Sequence, residues 1–211
     1  MKPYRQWIWV SLFEVLVLGC ATQAPLGPII NPAERVEFDG FSVLPPQGKN
    51  WYLGKSPYHG VVFRKRLFET PRSPEMHSFY ASVTRDDLNG KELETPQDLL
   101  AFVEHTFRVE PRFRVVNSNV VLDDAMGNIM DTDCVRYDMV QEERNNPIAP
   151  EAVLTLTVHG FTCRHPSSPK VAIGAWCSER YPQGEQSLLD ETLQQECESF
   201  LKHVLLKPLG R

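Results

Sequence analysis

Cysteines and histidines carry most of the chemistry this sequence offers. Cys134, Cys163, Cys177 and Cys197 form a set of four, and a fifth, Cys20, stands apart near the N-terminus. An even set in an exported chain reads as disulfides. Four cysteines allow three connectivities, and strand phase helps to choose among them. Residues 145–150 read as the loop between two antiparallel strands, and Cys134 and Cys163 lie almost symmetrically about it. They would face each other within disulfide reach. Cys134 shares a face with Arg136 and Asp138, and Cys163 with Thr157 and His159, so this pair reads as lying on the wetter side. Cys177 shares a face with Val171, Ile173 and Ala175, which reads as core, and Cys197 falls on the apolar stripe of the last helix. The expected bridges are Cys134–Cys163 and Cys177–Cys197. Two free, buried cysteines are the alternative for the second pair.

His159, Cys163 and His165 recur on one face of one strand, with Asp133 and Cys134 next door. Thiolate and imidazole ligands suit zinc. Alternate strand residues are about 6.5–7 Å apart, however, so one strand rarely supplies three ligands to one ion. No metal site is expected. The acidic pairs Asp86-Asp87, Asp123-Asp124 and Asp131/Asp133 lack EF-hand spacing and sit where turns favour Asp. There is no Gly-x-Ser-x-Gly, no His-Glu-x-x-His, no phosphate loop and no Gly-x-Gly-x-x-Gly. Nothing calls for a cofactor.

A second constellation lies between residues 47 and 72. Trp51, Tyr52 and Tyr58 stand among Gly and Pro, close to Arg64, Lys65 and Arg66. Aromatics of this kind serve as binding anchors, and a basic run meets acidic or lipid partners. The plainer reading is a basic strand edge that discourages pairing, with the aromatics folded back onto the core.

The elements that must position these residues are mixed. A strand is expected at Val36–Leu44, a short one at Trp51–Lys55, and a pair at 60–67 and 78–85. Thr95 can cap a helix that has Pro96 in its first turn and Asp98 to complement its dipole, with Leu99, Leu100, Phe102, Val103 and Phe107 on one side. Pro111 ends it. Four successive strands follow at 113–123, 132–142, 152–165 and 171–178, joined by turn-like connectors that include Asp124-Ala125-Met126-Gly127-Asn128. The chain closes with a helix from Leu188, capped by Ser187, whose apolar stripe runs from Leu189 to Val204. The expected architecture for residues 36–211 is one α+β domain: an antiparallel meander with two main helices packed on one face.

Composition sets the remaining bounds. The 211 residues are 42% apolar and 23% charged, with a net charge of −5. That excludes a strongly basic nucleic-acid binder. No stretch is polytopic. Residues 1–20 have Lys2 and Arg5 ahead of an apolar run from Trp7 to Leu18, interrupted by Glu14. The run is shorter than the ~20 residues a bilayer span needs and fits a secretory signal. It ends in Val17-Leu18-Gly19-Cys20, which resembles the bacterial lipobox, although Leu18 stands where that family more often has a small residue. The resemblance implies cleavage before Cys20 and acylation of its sulfur and new amino terminus. Multiple acyl chains give stable anchoring. Ala21 takes the place of the Asp that, in such lipoproteins, signals inner-membrane retention. The implied address is the periplasmic face of the outer membrane. Residues 20–35, with Pro25, Pro28 and Pro32, read as a semi-extended tether reaching about 45 Å.

Phe41-Ser42-Val43-Leu44-Pro45-Pro46 with Trp51 after it, and a closing amphipathic helix followed by Lys207-Pro208, resemble envelope lipoproteins of the PsbP-like fold. That family consists mostly of accessory and binding modules. The expectation is a non-catalytic, membrane-anchored envelope module that binds or scaffolds a protein or cell-wall partner through the 47–72 region, with Trp51, Tyr52, Tyr58, Arg64, Lys65 and Arg66 at the contact, and no nucleic acid. The competing class is an envelope hydrolase or metal-dependent enzyme assembled around His159, His165 and Asp133.

Overall fold

The computed structural model describes residues 27–28, 31–55, 60–67, 76–147 and 149–210. The segment expected to be a signal, Cys20, most of the expected tether and Tyr58 lie outside the described residues. The chain order is β1 (Gly27–Pro28), β2 (Val36–Phe38), β3 (Phe41–Val43), β4 (Trp51–Lys55), β5 (Gly60–Lys65), β6 (Ser78–Asp87), α1 (Pro96–Val109), β7 (Phe113–Leu122), α2 (Asp124–Met130), β8 (Cys134–Glu143), β9 (Leu154–His165), β10 (Ser168–Pro182), α3 (Glu191–Lys202) and β11 (Val204–Leu206).

An eight-stranded antiparallel sheet, ordered β1-β4-β5-β6-β10-β9-β8-β7, forms the body. The expected meander is its β7–β10 half. A three-stranded sheet, β11-β3-β2, lies beside it. The class is α+β, as the pattern implied.

The helices divide between the two faces rather than sharing one. α3 packs Leu193, Cys197, Phe200 and Leu201 into a core with Phe63, Phe79, Ala81, Ile173, Ala175 and Cys177. α1 packs Leu99, Val103 and Phe107 into a second core with Val135, Tyr137, Leu156, Val158 and Trp176. Strand alternation explains the division. β10 sends Ile173, Ala175 and Cys177 one way and Ala172 and Trp176 the other. The central strands are therefore apolar on both sides, and each side requires its own cover. Burying each large side chain contributes about 1.5–3 kcal/mol.

Four local readings are corrected. The expected strand at 36–44 is a hairpin: Phe38 pairs with Phe41 across Asp39-Gly40, and Gly40 supplies the positive φ of 92° that the tight turn requires. The Asp124–Asn128 connector is helical, because Asp123 caps α2 by accepting a hydrogen bond from the Met126 amide at 3.0 Å. α3 begins at Glu191, with Asp190 rather than Ser187 as its cap, accepting from the Leu193 amide at 2.8 Å. Val204 is not helical but opens β11, which pairs with β3. The α1 start stands as expected, with Thr95 and Asp98 forming a reciprocal capping box.

Candidate functional site

α3 covers only part of its face. Phe200 meets Phe63 edge-on at 5.7 Å, and Cys197 is bonded to Cys177. Among the described residues, the same face of the sheet is left open from β9 to β7. The result is a groove of about 430 Å³ between the sheet and the side of α3 that carries Gln194, Cys197 and Glu198.

Strand register lays out its floor. Asn119, Asp138, His159 and Cys177 are mutually opposed across β7, β8, β9 and β10. The neighbouring row is Asn117, Val140, Thr157 and Glu179. Leu189, Gln194 and Glu198 form the wall. His159 Nδ1 is paired with the Asp138 carboxylate, and both side chains stay about half exposed, at 42% and 51%. The pairing fixes the imidazole so that its Nε2 is the nitrogen left for a ligand.

The wall is held from beneath. Glu179 is 1% exposed and accepts hydrogen bonds from Ser187 Oγ at 2.5 Å and the Leu188 amide at 2.6 Å, with His77 Nε2 at 3.0 Å. These contacts fasten the segment that leads into α3 and set Leu189 on the groove. The disulfide fastens α3 itself.

Among the described residues, no Lys or Arg lines the groove. Its charges are the Asp138 and Glu198 carboxylates, with Glu179 sequestered below, and His159 is the sole titratable base of the lining. Amides and a hydroxyl add acceptors and donors. The arrangement suits a neutral or cationic ligand that donates hydrogen bonds, and repels anions. Among the described residues, His159 is hydrogen-bonded to Asp138 and to no Ser, Thr or Cys. Nor, among those residues, do three or more His, Cys, Asp or Glu form a group able to hold a metal.

His165 and Asp133 are elsewhere. His165 is 1% exposed; Nε2 faces the Lys207 carbonyl at 2.8 Å, and Nδ1 accepts from the Ser167 amide at 3.1 Å. It pins the chain after β11. Six residues separate it from His159 along β9, about 20 Å. Asp133 is ion-paired with Arg164 at 2.6 Å. The three suspects for an assembled catalytic site are not brought together.

The 47–72 constellation divides between faces. Trp51 is 4% exposed and donates from Nε1 to Glu196 at 2.9 Å. Lys65 is ion-paired with the same carboxylate and stands 5.3 Å over the Trp51 ring. Both serve the α3 side. Tyr52 and Arg64 oppose each other on the other face, where Arg66 lies 4.9 Å over Tyr52 and Arg64 lies 5.8 Å over Tyr80.

Both expected disulfides are present. Cys134 and Cys163 oppose each other with Cα atoms 4.1 Å apart, and Cys177 and Cys197 are 6.0 Å apart. The first pair is buried at 3% and 0%, not on a wet face. One face of β8 and β9 changes character along its length: it is core at Cys134, Phe161 and Cys163 and open groove at Asp138 and His159.

Sequence reasoning missed Asn119, Asp138, Thr157 and Gln194 as groove residues. A signal existed for one of them. Asp138 and His159 share the register that pairs the two cysteines, so the same strand phase opposes them.

No helix of the described residues is long and apolar enough to cross a membrane. No family model matches the chain, and no curated protein matches it. Among solved structures it is similar to LpqN, involved in cell envelope biogenesis of Mycobacterium tuberculosis. The identity is 13%, over 83% of this chain and 90% of that one, with a TM-score of 0.43. It is also similar to the Ran-binding protein Mog1p of Saccharomyces cerevisiae, 11% identical over 81% of this chain and 93% of that one, with a TM-score of 0.44. Likeness at this level carries no function across.

Proposed function

We propose that this chain is a non-catalytic envelope lipoprotein, anchored through Cys20, that holds a neutral or cationic partner segment in the groove floored by Asn119, Asp138 and His159. The partner is a protein or a cell-wall component. The observation that carries this reading is the open half of a sheet face, bounded by a helix that a disulfide and the buried Glu179 hold in place. Two disulfides support an oxidising compartment, and the lipobox-like Val17-Leu18-Gly19-Cys20 supports the anchor and the outer-membrane address. A preformed, mostly apolar groove with a few converging polar groups is the common form of a binding site. The groove replaces the 47–72 region as the preferred contact surface, because Trp51 and Lys65 are already satisfied by Glu196.

The test is a thermal-shift series on the full chain with soluble cell-wall fragments, one set amine-bearing and one set anionic. Amine-bearing fragments should raise Tm for wild type and for Arg64→Glu, but not for Asp138→Asn. Preference for anionic fragments, or a response lost in Arg64→Glu and kept in Asp138→Asn, would move the site to the basic patch.

A further inference from the structure

The eight-stranded sheet ends differently at its two edges. At one, β4 is followed by the two-residue β1, which carries Pro28. A short, proline-bearing edge is a poor template for another strand. At the other, β7 runs for ten residues, and among the described residues no strand pairs with its outer side. From Val115 to Leu122 it has neither charge nor proline. Val116, Val121 and Leu122 are exposed, Val116 to 56%. Sheet proteins normally suppress an edge of this kind with charge, proline or cover.

The strand is also self-complementary. Val115-Val116-Asn117-Ser118-Asn119-Val120-Val121 reads the same in both directions. Antiparallel pairing with a second copy about Ser118 sets Ser118 against Ser118, each Asn117 against an Asn119 and each Val116 against a Val120, while the bulge turns Val115 to the face opposite Val121 and leaves that pair out of the match. From Val116 to Val120, apolar and polar residues are then each matched across the strands. Charge agrees. Arg114, 68% exposed and ion-paired with Glu142 of β8, flanks one end of the neutral run, and the exposed Asp124 follows the other. Antiparallel pairing brings the basic end of each copy to the acidic end of the other.

We propose that β7 pairs with β7 of a second copy of this chain, antiparallel about Ser118, joining the two eight-stranded sheets edge to edge. The contact is isologous and closes on itself, because β1 occupies the opposite edge of each sheet. It is a weak association. β7 is bulged between Val115 and Asn117, which interrupts the new ladder once on each copy. The proposal rests on the sheet edge and is independent of the groove reading.

The test is cross-linking of the full chain under oxidising conditions. On the axis, opposed Cα atoms lie about 4.5–5.5 Å apart, within disulfide reach. Ser118→Cys should therefore give a dimer on a non-reducing gel. Leu122→Cys should not, since its two copies would lie about 26 Å apart. Absence of a Ser118→Cys dimer, or equal cross-linking at both positions, overturns the proposal. A second arm uses charge. Ser118→Lys and Ser118→Asp should each abolish the concentration-dependent dimer seen in sedimentation, and mixing the two should restore it. Failure of the mixture to restore it, with both variants folded by circular dichroism, also overturns the proposal.

Discussion

Cys177 on β10 and Cys197 on α3 are bonded to each other, so the strand that borders the groove floor and the helix that walls it are one covalent unit. The groove's width is set by that bond together with the Glu179 contacts. The second bridge, Cys134–Cys163, joins two strands that are already neighbours in the sheet and does nothing for the wall.

This contrast separates stability from binding. On the chain-entropy model each bridge contributes about 3–4 kcal/mol, since the loops are of similar length. Replacing both cysteines of either pair by serine should lower denaturant stability by a comparable amount. Only the Cys177→Ser/Cys197→Ser variant should weaken groove binding at temperatures where both variants stay folded. Equal binding loss in both would show that the wall is not held by the bond.

Glu179 gives a sharper perturbation. Its carboxylate is buried and accepts from two groups of the segment leading into α3. Hydrogen bonds to a charged acceptor contribute about 1.5–3 kcal/mol each. Glu179→Ala should therefore cost several kcal/mol by that measure, and hydrogen exchange should speed up at Leu188 and Leu189 before the sheet is affected. Uniform acceleration across β9 and β10 would contradict the local role.

Asp86 gives the fold a pH signature. It lies on β6 toward the α1 core, and its Oδ2 has no hydrogen-bond partner. Burial, with Asp87 beside it, pushes its carboxyl up to about 8. The unfolded carboxyl ionises near 3.9. Between those values the unfolded chain has released a proton that the folded chain retains, so stability falls as pH rises. The contribution is full below about pH 4 and gone above about pH 8. Asp86→Asn should remove this decline and be the more stable protein at pH 8, as read by urea midpoints across the range. An unchanged pH dependence in Asp86→Asn would refute the assignment.

The anchor is tested apart from the fold. Mature protein from a Gram-negative host should carry acyl chains on Cys20 by mass spectrometry, and Cys20→Ser should abolish them. An unacylated Cys20 in membrane-fractionated material would contradict the lipoprotein reading while leaving the groove intact.

Much of the fold was legible because its signals are local. Thr95-Pro96-Gln97-Asp98 encodes a helix start within four residues, and strand phase was enough to pair Cys134 with Cys163. The errors arose where tertiary cover decides. Alternation marks Val171, Ile173, Ala175 and Cys177 as core, but not that Ala172 and Trp176 on the other side of β10 are covered by a helix of their own. Ser187 passed for a helix cap, yet its hydroxyl is committed to Glu179, and the cap falls to Asp190 three residues later. The groove was hidden for a related reason. Asp138 and His159 resemble any wet strand face until α3 stops short of them. That Trp51 and Lys65 share Glu196 is likewise not readable from the sequence, since Glu196 is more than a hundred residues away in the chain.

The central claim is that the groove is where the partner sits, and Gln194 on its wall is the most direct place to test it. A photo-crosslinking amino acid introduced at Gln194 in the native host should capture one envelope component, and Asp138→Asn in the same chain should abolish the capture. The same cross-linker introduced at Tyr52, on the opposite face, should capture nothing dependent on Asp138. Capture at Tyr52 without capture at Gln194 would contradict the account.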